Sequence, residues 1–506
     1  MPGETTSKNR RAAPLPSVVV CSIREANAAS FRRALSKVPA GCEWIEIRAD
    51  ELRTQEIPEL VKTTDRPVIV TLRSRTEGGG FDGSEEERSA GLHAALEAGA
   101  RFVDVEWGSP QQVLADGDQA SRVILSHHAQ DCSLPTLTTV LRSMASSAAA
   151  RLKLVPTAQK PADAATVRDL LRRVGDLDRP LACFAMGRAG ALTRLLAPAW
   201  GSWATYGGVG AGRETAPGQF SVTDLLETYD VLGIGSTTRI FGLLGNAVGG
   251  SPSPAMHHAG YRENGIDARY LPIEVDALED CLPLLGREGL LGVEALGVTI
   301  PFKEAAAARC RLEDEVATGA GAVNTVLIGS GGWKGYNTDG PAVLELVRRQ
   351  LDPAGVEVAI VGAGGTARAA AVALAGAGYG VTVFNRTLAR AQEIAERLGV
   401  NAADLRDLPG HAWEVLVQAT PIGAAGEELL PREELVGRMV LEAVYGRETP
   451  LVSDARASGL VVATGLDLLV AQAAPQFQRM TGRTVREETL REAGRRWLAA
   501  RAADLP

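Results

Sequence analysis

The chain has 506 residues, 45% of them hydrophobic and 23% charged, with a formal net charge of -8. That length exceeds one ordinary domain, and the acidic balance argues against a nucleic-acid partner. The most apolar run, Ala369 to Phe384, is broken by glycines and is too short to cross a membrane.

The cysteines, Cys21, Cys42, Cys132, Cys183, Cys281 and Cys310, are scattered with no C-x-x-C pair. Neither a disulfide framework nor a zinc site is indicated, and no metal-ligand cluster is visible. Reduced thiols in a cytoplasmic protein fit this usage. Residues 1–16 are polar and proline-containing, without the apolar core of a secretory signal. They read as a disordered tail, with a transit-peptide stub as the alternative.

From Val18 onward, short apolar strands alternate with helix-like segments: VVVCS, EWIEIR, PVIVTLR, FVDVEW, RVILSHH, RLKLVP, PLACFAMG and WATYGG. Eight strands with intervening helices predict a (β/α)8 barrel, whose chemistry sits at the C-terminal strand ends. Strand alternation turns Ile45 and Ile47 toward the helices and Glu46 and Arg48 inward. Arg73 ends the third strand. Val103 and Val105 point out and Glu106 in; His127 points out and His128 in. Lys153 points in between Leu152 and Leu154, Arg194 follows the seventh strand, and Thr215 and Gln219 lie in the loop after the eighth. Each alone reads better as a surface charge at a strand end, and Lys153 alone as a lysine at a strand's solvent end. Together, facing inward, such groups are costly without partners or a ligand.

The set has a chemistry. Burial and nearby cations lower a lysine pKa, and a neutral amine attacks a ketone to form an imine that withdraws electrons. A histidine removes a proton beside that imine and returns one to a leaving hydroxyl. Arginines clamp a carboxylate. The combination points to loss of water from a hydroxylated keto acid.

The pieces EIR, TLR followed by EGG (Glu77 to Gly79), DVE, S-H-H, K-L-V, M-G-R-A-G-A-L-T-R and T-A-P-G-Q resemble type I 3-dehydroquinate dehydratase over about Ser17 to Tyr229. The resemblance implies Lys153 as the Schiff-base lysine, His128 as the general acid/base and Glu106 as the residue that orients His128. It implies Glu46, Arg48 and Arg73 at the ring hydroxyls, and Arg194, Thr215 and Gln219 at the carboxylate. Thr215 stands where the family often has serine.

Residues 229–238 (YDVLGIGSTT) read as a linker of glycine and small polar residues. Beyond it, VEVAIVGAGGTARAAAVAL is a strand, a glycine turn at Gly362, Gly364 and Gly365, and a helix, the pattern of a Rossmann phosphate loop. The next strand ends at Asn385-Arg386-Thr387. A neutral residue followed by arginine, where NAD-binding proteins carry an acid, suits the extra phosphate of NADP, although Arg386 also reads as a surface arginine. ATPIG, with Thr420 and Gly423, ends another strand near the nicotinamide position. Ahead of this, SPSP supplies Ser251 and Ser253, GVTIPFKE supplies Thr299 and Lys303, GAVNTV supplies Asn324 and GYNTDG supplies Asp339. A lysine beside an aspartate is most often a surface ion pair. Near a hydride donor it can protonate an alkoxide.

These motifs, with N-R-T and the late GLDLLVAQA, resemble shikimate dehydrogenase over about Ile240 to Arg483. The resemblance implies Lys303 and Asp339 as the catalytic pair, and Ser251, Ser253, Thr299, Asn324, Tyr445 and Gln472 at the substrate. It implies Gly362, Gly364, Gly365, Ala367, Asn385, Arg386, Thr387, Thr420, Gly423 and Gly465 at NADP. Departures from the family pattern are Gly250 for histidine, Gly297 for asparagine, Glu442 for the aspartate ahead of Tyr445, Leu468 for methionine and Met480 for tryptophan.

The two resemblances name consecutive steps and match a bifunctional dehydroquinate dehydratase/shikimate dehydrogenase arrangement of the shikimate pathway. The layout expected is a barrel over 17–228, a substrate-binding domain over 239–345 and 466–506, and a Rossmann domain over 346–465. Small-molecule substrates, NADP, no metal, no membrane, and a monomer or small homo-oligomer follow. Two rivals stand beside this reading: a second half acting on quinate or a related acid, and one half serving as an inactive regulatory module.

Overall fold

The computed structural model describes residues 16–173, 177–210 and 212–502, so the predicted tail, apart from Pro16, lies outside the described residues. The chain divides into two compact units at Ser236/Thr237.

The first unit is a parallel barrel of β1 (Val18–Arg24), β2 (Trp44–Arg48), β3 (Val68–Thr71), β4 (Phe102–Glu106), β5 (Val123–Ala129), β6 (Arg151–Pro156), β7 (Leu181–Cys183) and β8 (Ala204–Gly208). Their order, β7-β6-β5-β4-β3-β2-β1-β8, is cyclic. β8 pairs with β1 along its length, while the seam to β7 is held by Trp203 N–H donating to Leu181 O at 3.2 Å and Cys183 N–H to Ser202 Oγ at 3.1 Å. The barrel is nearly closed. Apolar residues of one parity pack under the helices, and the polar residues between them are buried in the interior, as strand alternation requires. Its N-terminal floor is aromatic: the Arg151 guanidinium lies 4.4 Å from the Trp203 ring, with Trp44 and Phe102 on its other sides.

The expected linker is not one. Tyr229, Val231 and Ile234 are buried, and Tyr229 meets Phe220 edge-on at 5.4 Å. Its apolar residues alternate with glycines closely enough to anchor the segment on the barrel, so the barrel extends past 228.

The second unit has two sheets. β9 (Arg239–Gly245), β10 (Ala268–Glu274), β11 (Ala295–Val298), β12 (Cys310–Leu312), β13 (Thr325–Gly329) and β14 (Gly332–Tyr336) order as β10-β9-β11-β13-β14-β12. β15 (Glu357–Val361), β16 (Gly380–Asn385), β17 (Asn401–Asp404), β18 (Val415–Gln418), β19 (Met439–Glu442) and β20 (Val461–Ala463) order as β17-β16-β15-β18-β19-β20, all parallel. That is the doubly wound Rossmann order, with its switch point between β15 and β18.

Two predicted boundaries shift. Position 345/346 cuts helix Asp339–Arg348, whose Ala342, Val343, Leu346 and Val347 pack in the nucleotide-binding core. Helix Gly465–Thr481 serves both sheets: Leu468 and Ala471 enter the nucleotide-binding core, and Phe477 and Met480 enter the core under β9 and β10. An amphipathic pattern reports that a helix buries a face, not which sheet receives it.

His257, in helix Ser253–Asn264, stacks on Tyr270 at 4.2 Å and bonds Gln476 Oε1 through Nε2 at 3.1 Å. Burial lowers its pKa to about 4 against the opposing pull of that hydrogen bond. An unfolded histidine takes its proton near pH ~6.5. The stabilisation from keeping His257 neutral is therefore fully present above that value and lost as pH falls toward 4, on the order of 3 kcal/mol. The denaturant midpoint of the second unit should drop between about pH 7 and about pH 5, and drop less in His257→Gln; equal drops would show that His257 does not drive the loss.

Candidate active sites

At the barrel mouth, Ser22, Glu46, Thr71, Asp104, Ser126 and Lys153, one from each of β1 to β6, converge. Lys153 Nζ donates to Asp104 Oδ2 at 3.2 Å and lies 3.5 Å from Glu46 Oε1. Its side chain is 6% exposed, and Nζ sits 4.3 Å from the Tyr206 ring. Glu46 also accepts from Ser22 Oγ at 2.5 Å and Thr71 Oγ1 at 2.8 Å. Asp104 accepts from Ser126 Oγ at 2.6 Å and Arg73 at 2.7 Å. Burial alone would raise both carboxyls; Arg73 and Lys153 hold Asp104, and Lys153 and Arg48 hold Glu46, below the ordinary range. The charged groups nearest Lys153 are the carboxylates of Asp104 and Glu46.

His128 is oriented by Glu77, not by Glu106. Nδ1 of His128 lies 2.9 Å from Glu77 Oε2, and Nδ1 of His127 lies 3.2 Å from Oε1. Glu106 instead takes Arg88 at 2.6 Å, Arg73 at 3.3 Å and Ser74 N–H at 2.8 Å. It braces the loop that carries Glu77. Burial works against ionising Glu77, but bonds from His127, His128 and Arg73 keep its carboxyl well below the usual range. Burial, with Arg73 nearby, lowers His128 to about 4 while Glu77 pulls the other way. At neutral pH, then, a carboxylate accepts the Nδ1 proton of a neutral imidazole and Nε2 is left as a base.

Arg48 donates to Asp50 at 2.6 Å and reaches Thr215 O at 3.5 Å. Thr215 N–H and Oγ1 both donate to Gln219 Oε1, at 2.7 and 3.1 Å. Arg194 is 1% exposed, packs over Phe184 at 4.7 Å, and its Nε has no hydrogen-bond partner among the described residues. Burial lowers its pKa to about 10. A buried guanidinium of this kind calls for an anion, and a carboxylate supplies one.

The second unit holds a cavity of about 610 Å³ at the Rossmann switch point. Lys303 Nζ donates to Asp339 Oδ2 at 2.5 Å and to Thr366 Oγ1 at 2.9 Å. Asn324 Nδ2 donates to Asp339 Oδ1 at 2.7 Å and lies 3.3 Å from Gln472 Oε1. Ser251 and Ser253 are buried with hydroxyls 3.1 Å apart, and the Tyr445 hydroxyl bonds Ser251. Thr299 lines the same cavity. Gln476, missed from the sequence, donates to Asn324 O at 2.9 Å and so fixes that loop.

The nucleotide side fits NADP. Gly362 has φ +121°, the left-handed region, and nothing lies within 4 Å of a Cβ built at Gly364, which leaves room for a phosphate. Helix Gly365–Gly376 begins there with no side-chain cap, and the first amides of a helix have no partner within it. Asn385 lines the cavity, whereas Arg386 and Thr387 are exposed just beyond its walls. Arg390, three residues on, also lines it, a second arginine that the sequence reading missed. Thr420 lines the cavity, and Gly423 makes a turn at φ +95° against Thr449. A Cβ at Gly465 would lie 2.3 Å from Val444 O, so this glycine permits the helix start to abut the loop ahead of Tyr445. Ala367, expected at NADP, instead buries its methyl in the apolar core, leaving only its backbone for a ligand.

The departures from the family pattern have local accounts. A Cβ at Gly297 would lie 1.9 Å from Tyr270 Oη, so the Tyr270 hydroxyl fills the space of the missing asparagine. Gly250 faces open space. Burial raises Glu442 to about 7, with Val444 N–H and Thr449 Oγ1 bonded to it. Leu468 lines the cavity, and Met480 is core.

Among known proteins, the type I 3-dehydroquinase family profile matches residues 19–236. The shikimate dehydrogenase substrate binding domain matches 243–326, and shikimate/quinate 5-dehydrogenase matches 345–439. A chloroplastic bifunctional 3-dehydroquinate dehydratase/shikimate dehydrogenase of Arabidopsis thaliana is 31% identical over 476 residues, covering 87% of this chain and 78% of that protein. An NADP(+) shikimate dehydrogenase of Halobacterium salinarum is 41% identical over 253 residues, 48% of this chain and 93% of that protein. The crystal structure of shikimate 5-dehydrogenase from Thermus thermophilus with NADP(H) and shikimate is 35% identical, covers 51% of this chain and 99% of that one, and has a TM-score of 0.47. With nearly its whole length matched in one relative, this chain belongs to the bifunctional 3-dehydroquinate dehydratase/shikimate dehydrogenase family.

Proposed function

We propose that the first unit dehydrates 3-dehydroquinate on Lys153 and that the second reduces the resulting 3-dehydroshikimate to shikimate with Lys303 as proton donor. The observation that carries this reading is that each unit holds its own lysine–carboxylate pair, buried at 3.2 Å in the barrel and part-buried at 2.5 Å beside the glycine loop.

In the barrel, Lys153 Nζ forms a C=N bond with the ketone and water leaves. Glu46 and Asp104 offset the charge of the protonated imine. Neutral His128 takes a proton from the adjacent carbon, and the electron pair moves toward the imine nitrogen. As the pair returns, the hydroxyl leaves with the proton from His128, and water hydrolyses the imine to restore Lys153. Arg194, Thr215 and Gln219 hold the substrate carboxylate, and Arg48 and Arg73 bound the ring hydroxyls.

In the second unit, Ser251, Ser253, Thr299, Asn324, Tyr445 and Gln472 hold the ring. NADPH, when bound, supplies the hydride to the carbonyl carbon. Lys303 gives a proton to the oxygen, and Asp339 keeps its ammonium aimed. Arg386 and Arg390 hold the 2′-phosphate, and the amides after Gly364 hold the pyrophosphate. We place the enzyme in the cytoplasm, where its free thiols stay reduced, as a monomer or small homo-oligomer acting on small molecules.

The direct test supplies 3-dehydroquinate with NADPH, then with NADH, and follows nicotinamide oxidation and products. Shikimate should form with NADPH. Lys153→Ala should abolish dehydration and borohydride trapping while leaving reduction of added 3-dehydroshikimate intact; joint loss of both activities in folded protein would refute the two-site assignment. The acid limb of dehydration in the free enzyme should lie near the His128 value of about 4, not near the ordinary ~6.5, since neutral imidazole is the active form. A limb at the ordinary value would show that burial does not depress His128 in the free enzyme. Replacing Arg386 and Arg390 together with alanine should cut the preference for NADPH over NADH by roughly tenfold to a hundredfold. An unchanged ratio would place the 2′-phosphate elsewhere.

A further inference from the structure

Thr366 is the second residue of helix Gly365–Gly376 and belongs to the phosphate loop by position. Its side chain does something else. Oγ1 accepts from Lys303 Nζ at 2.9 Å and donates to Asp339 Oδ2 at 3.1 Å, closing a triangle with the 2.5 Å Lys303–Asp339 bond. The residue before it contributes as well: a Cβ built on Gly365 would lie 2.9 Å from Lys303 Cδ and 3.0 Å from Lys303 Cβ. The lysine stem therefore runs along the bare backbone of the loop, and its tip is tied to the next side chain.

We propose that Thr366 is a positioning residue for the reduction and that the phosphate loop forms the socket of the proton donor. An ammonium has three N–H donors and no acceptor. Asp339 takes one and Thr366 takes a second, so the third is fixed in direction and is the one left for the substrate oxygen. With Asp339 alone the ammonium rotates about a single bond, and the donated proton has no set aim. Hydrogen-bonding capacity closes: the Thr366 hydrogen goes to Asp339, which leaves its oxygen free to accept from Lys303. In the step itself the Lys303 N–H bond breaks, an O–H bond forms on the reduced carbonyl oxygen, and Lys303 is left as a neutral amine that recovers its proton from solvent. Because one loop both cradles the cofactor phosphates and holds the lysine, a shift of that loop on cofactor binding moves the proton donor too.

The inference rests on Lys303 being the proton donor, and the experiment separates the two. In the full-length chain, Thr366→Val keeps the side-chain shape and removes the hydroxyl, while Thr366→Ser keeps the hydroxyl. Thr366→Val should lower kcat for reduction roughly tenfold, the scale of one lost oriented hydrogen bond. Its KM for NADPH and for 3-dehydroshikimate should stay within about twofold, and its solvent deuterium isotope effect on kcat should rise, since a misaimed proton transfer limits the rate. Thr366→Ser should recover most of kcat, and dehydration by the barrel should match the parent in both, which reports equal folded enzyme. Unchanged kcat in Thr366→Val, or a rise in NADPH KM alone, would overturn the inference and leave Thr366 a loop residue. Lys303→Ala should abolish reduction; full retention there would refute Lys303 as donor, independently of what Thr366→Val does.

Discussion

A lysine ammonium held out of water must be matched by fixed negative charge, and that requirement organises both units. In the barrel, Lys153 sits between Glu46 and Asp104. Each of those carboxylates is then tied by groups from neighbouring strands or just past a strand end: Ser22 and Thr71 on Glu46, Ser126 and Arg73 on Asp104. An unpaired buried charge costs far more than these bonds return, so the whole inner layer is obliged to be polar and interlocked. In the second unit Asp339 plays the same part for Lys303, and Asn324 and Thr366 take up its remaining oxygen capacity. Arg194, whose buried Nε is unmatched among the described residues, is where the proposed dehydration would bring a substrate anion to complete the balance.

Much of this is legible in the sequence because strand alternation is rigid. Once Val103 and Val105 are set outward, everything of the opposite parity has to face in, and the same logic on neighbouring strands turns Lys153, Glu46 and His128 inward. That parity puts Asp104 inward with Glu106, yet the sequence reading singles out only Glu106. The partner of His128 is harder to find. Glu77 lies beyond the end of β3, where parity has stopped applying, and only the loop that Glu106 braces returns it to the imidazole. Contacts made by loops depend on tertiary packing that a strand pattern does not encode.

In the second unit the glycine loop and the Rossmann order are readable for a similar reason: only glycine meets the conformation at Gly362 and the close approach at Gly365. Ala367 is misread because motif position does not say which side of a helix faces the crevice; its methyl goes to the core. Gly297 looks, in the sequence, like a lost substrate contact. In the fold, Tyr270, far from it along the chain, reaches into that space, and such compensation between distant positions is invisible in either one alone.

Helix Gly465–Thr481, which packs against both sheets of the second unit, also sets an order of events during synthesis. Asn324 gets its brace from Gln476, 152 residues later in the chain. The substrate-binding strands therefore emerge from the ribosome well before the residue that fixes their loop, and the entire nucleotide-binding sheet is made in between. The reduction site cannot be assembled as synthesis proceeds past it. It is completed late, when a single returning helix delivers Gln472 and Gln476 together, by which time all the barrel strands have long been made.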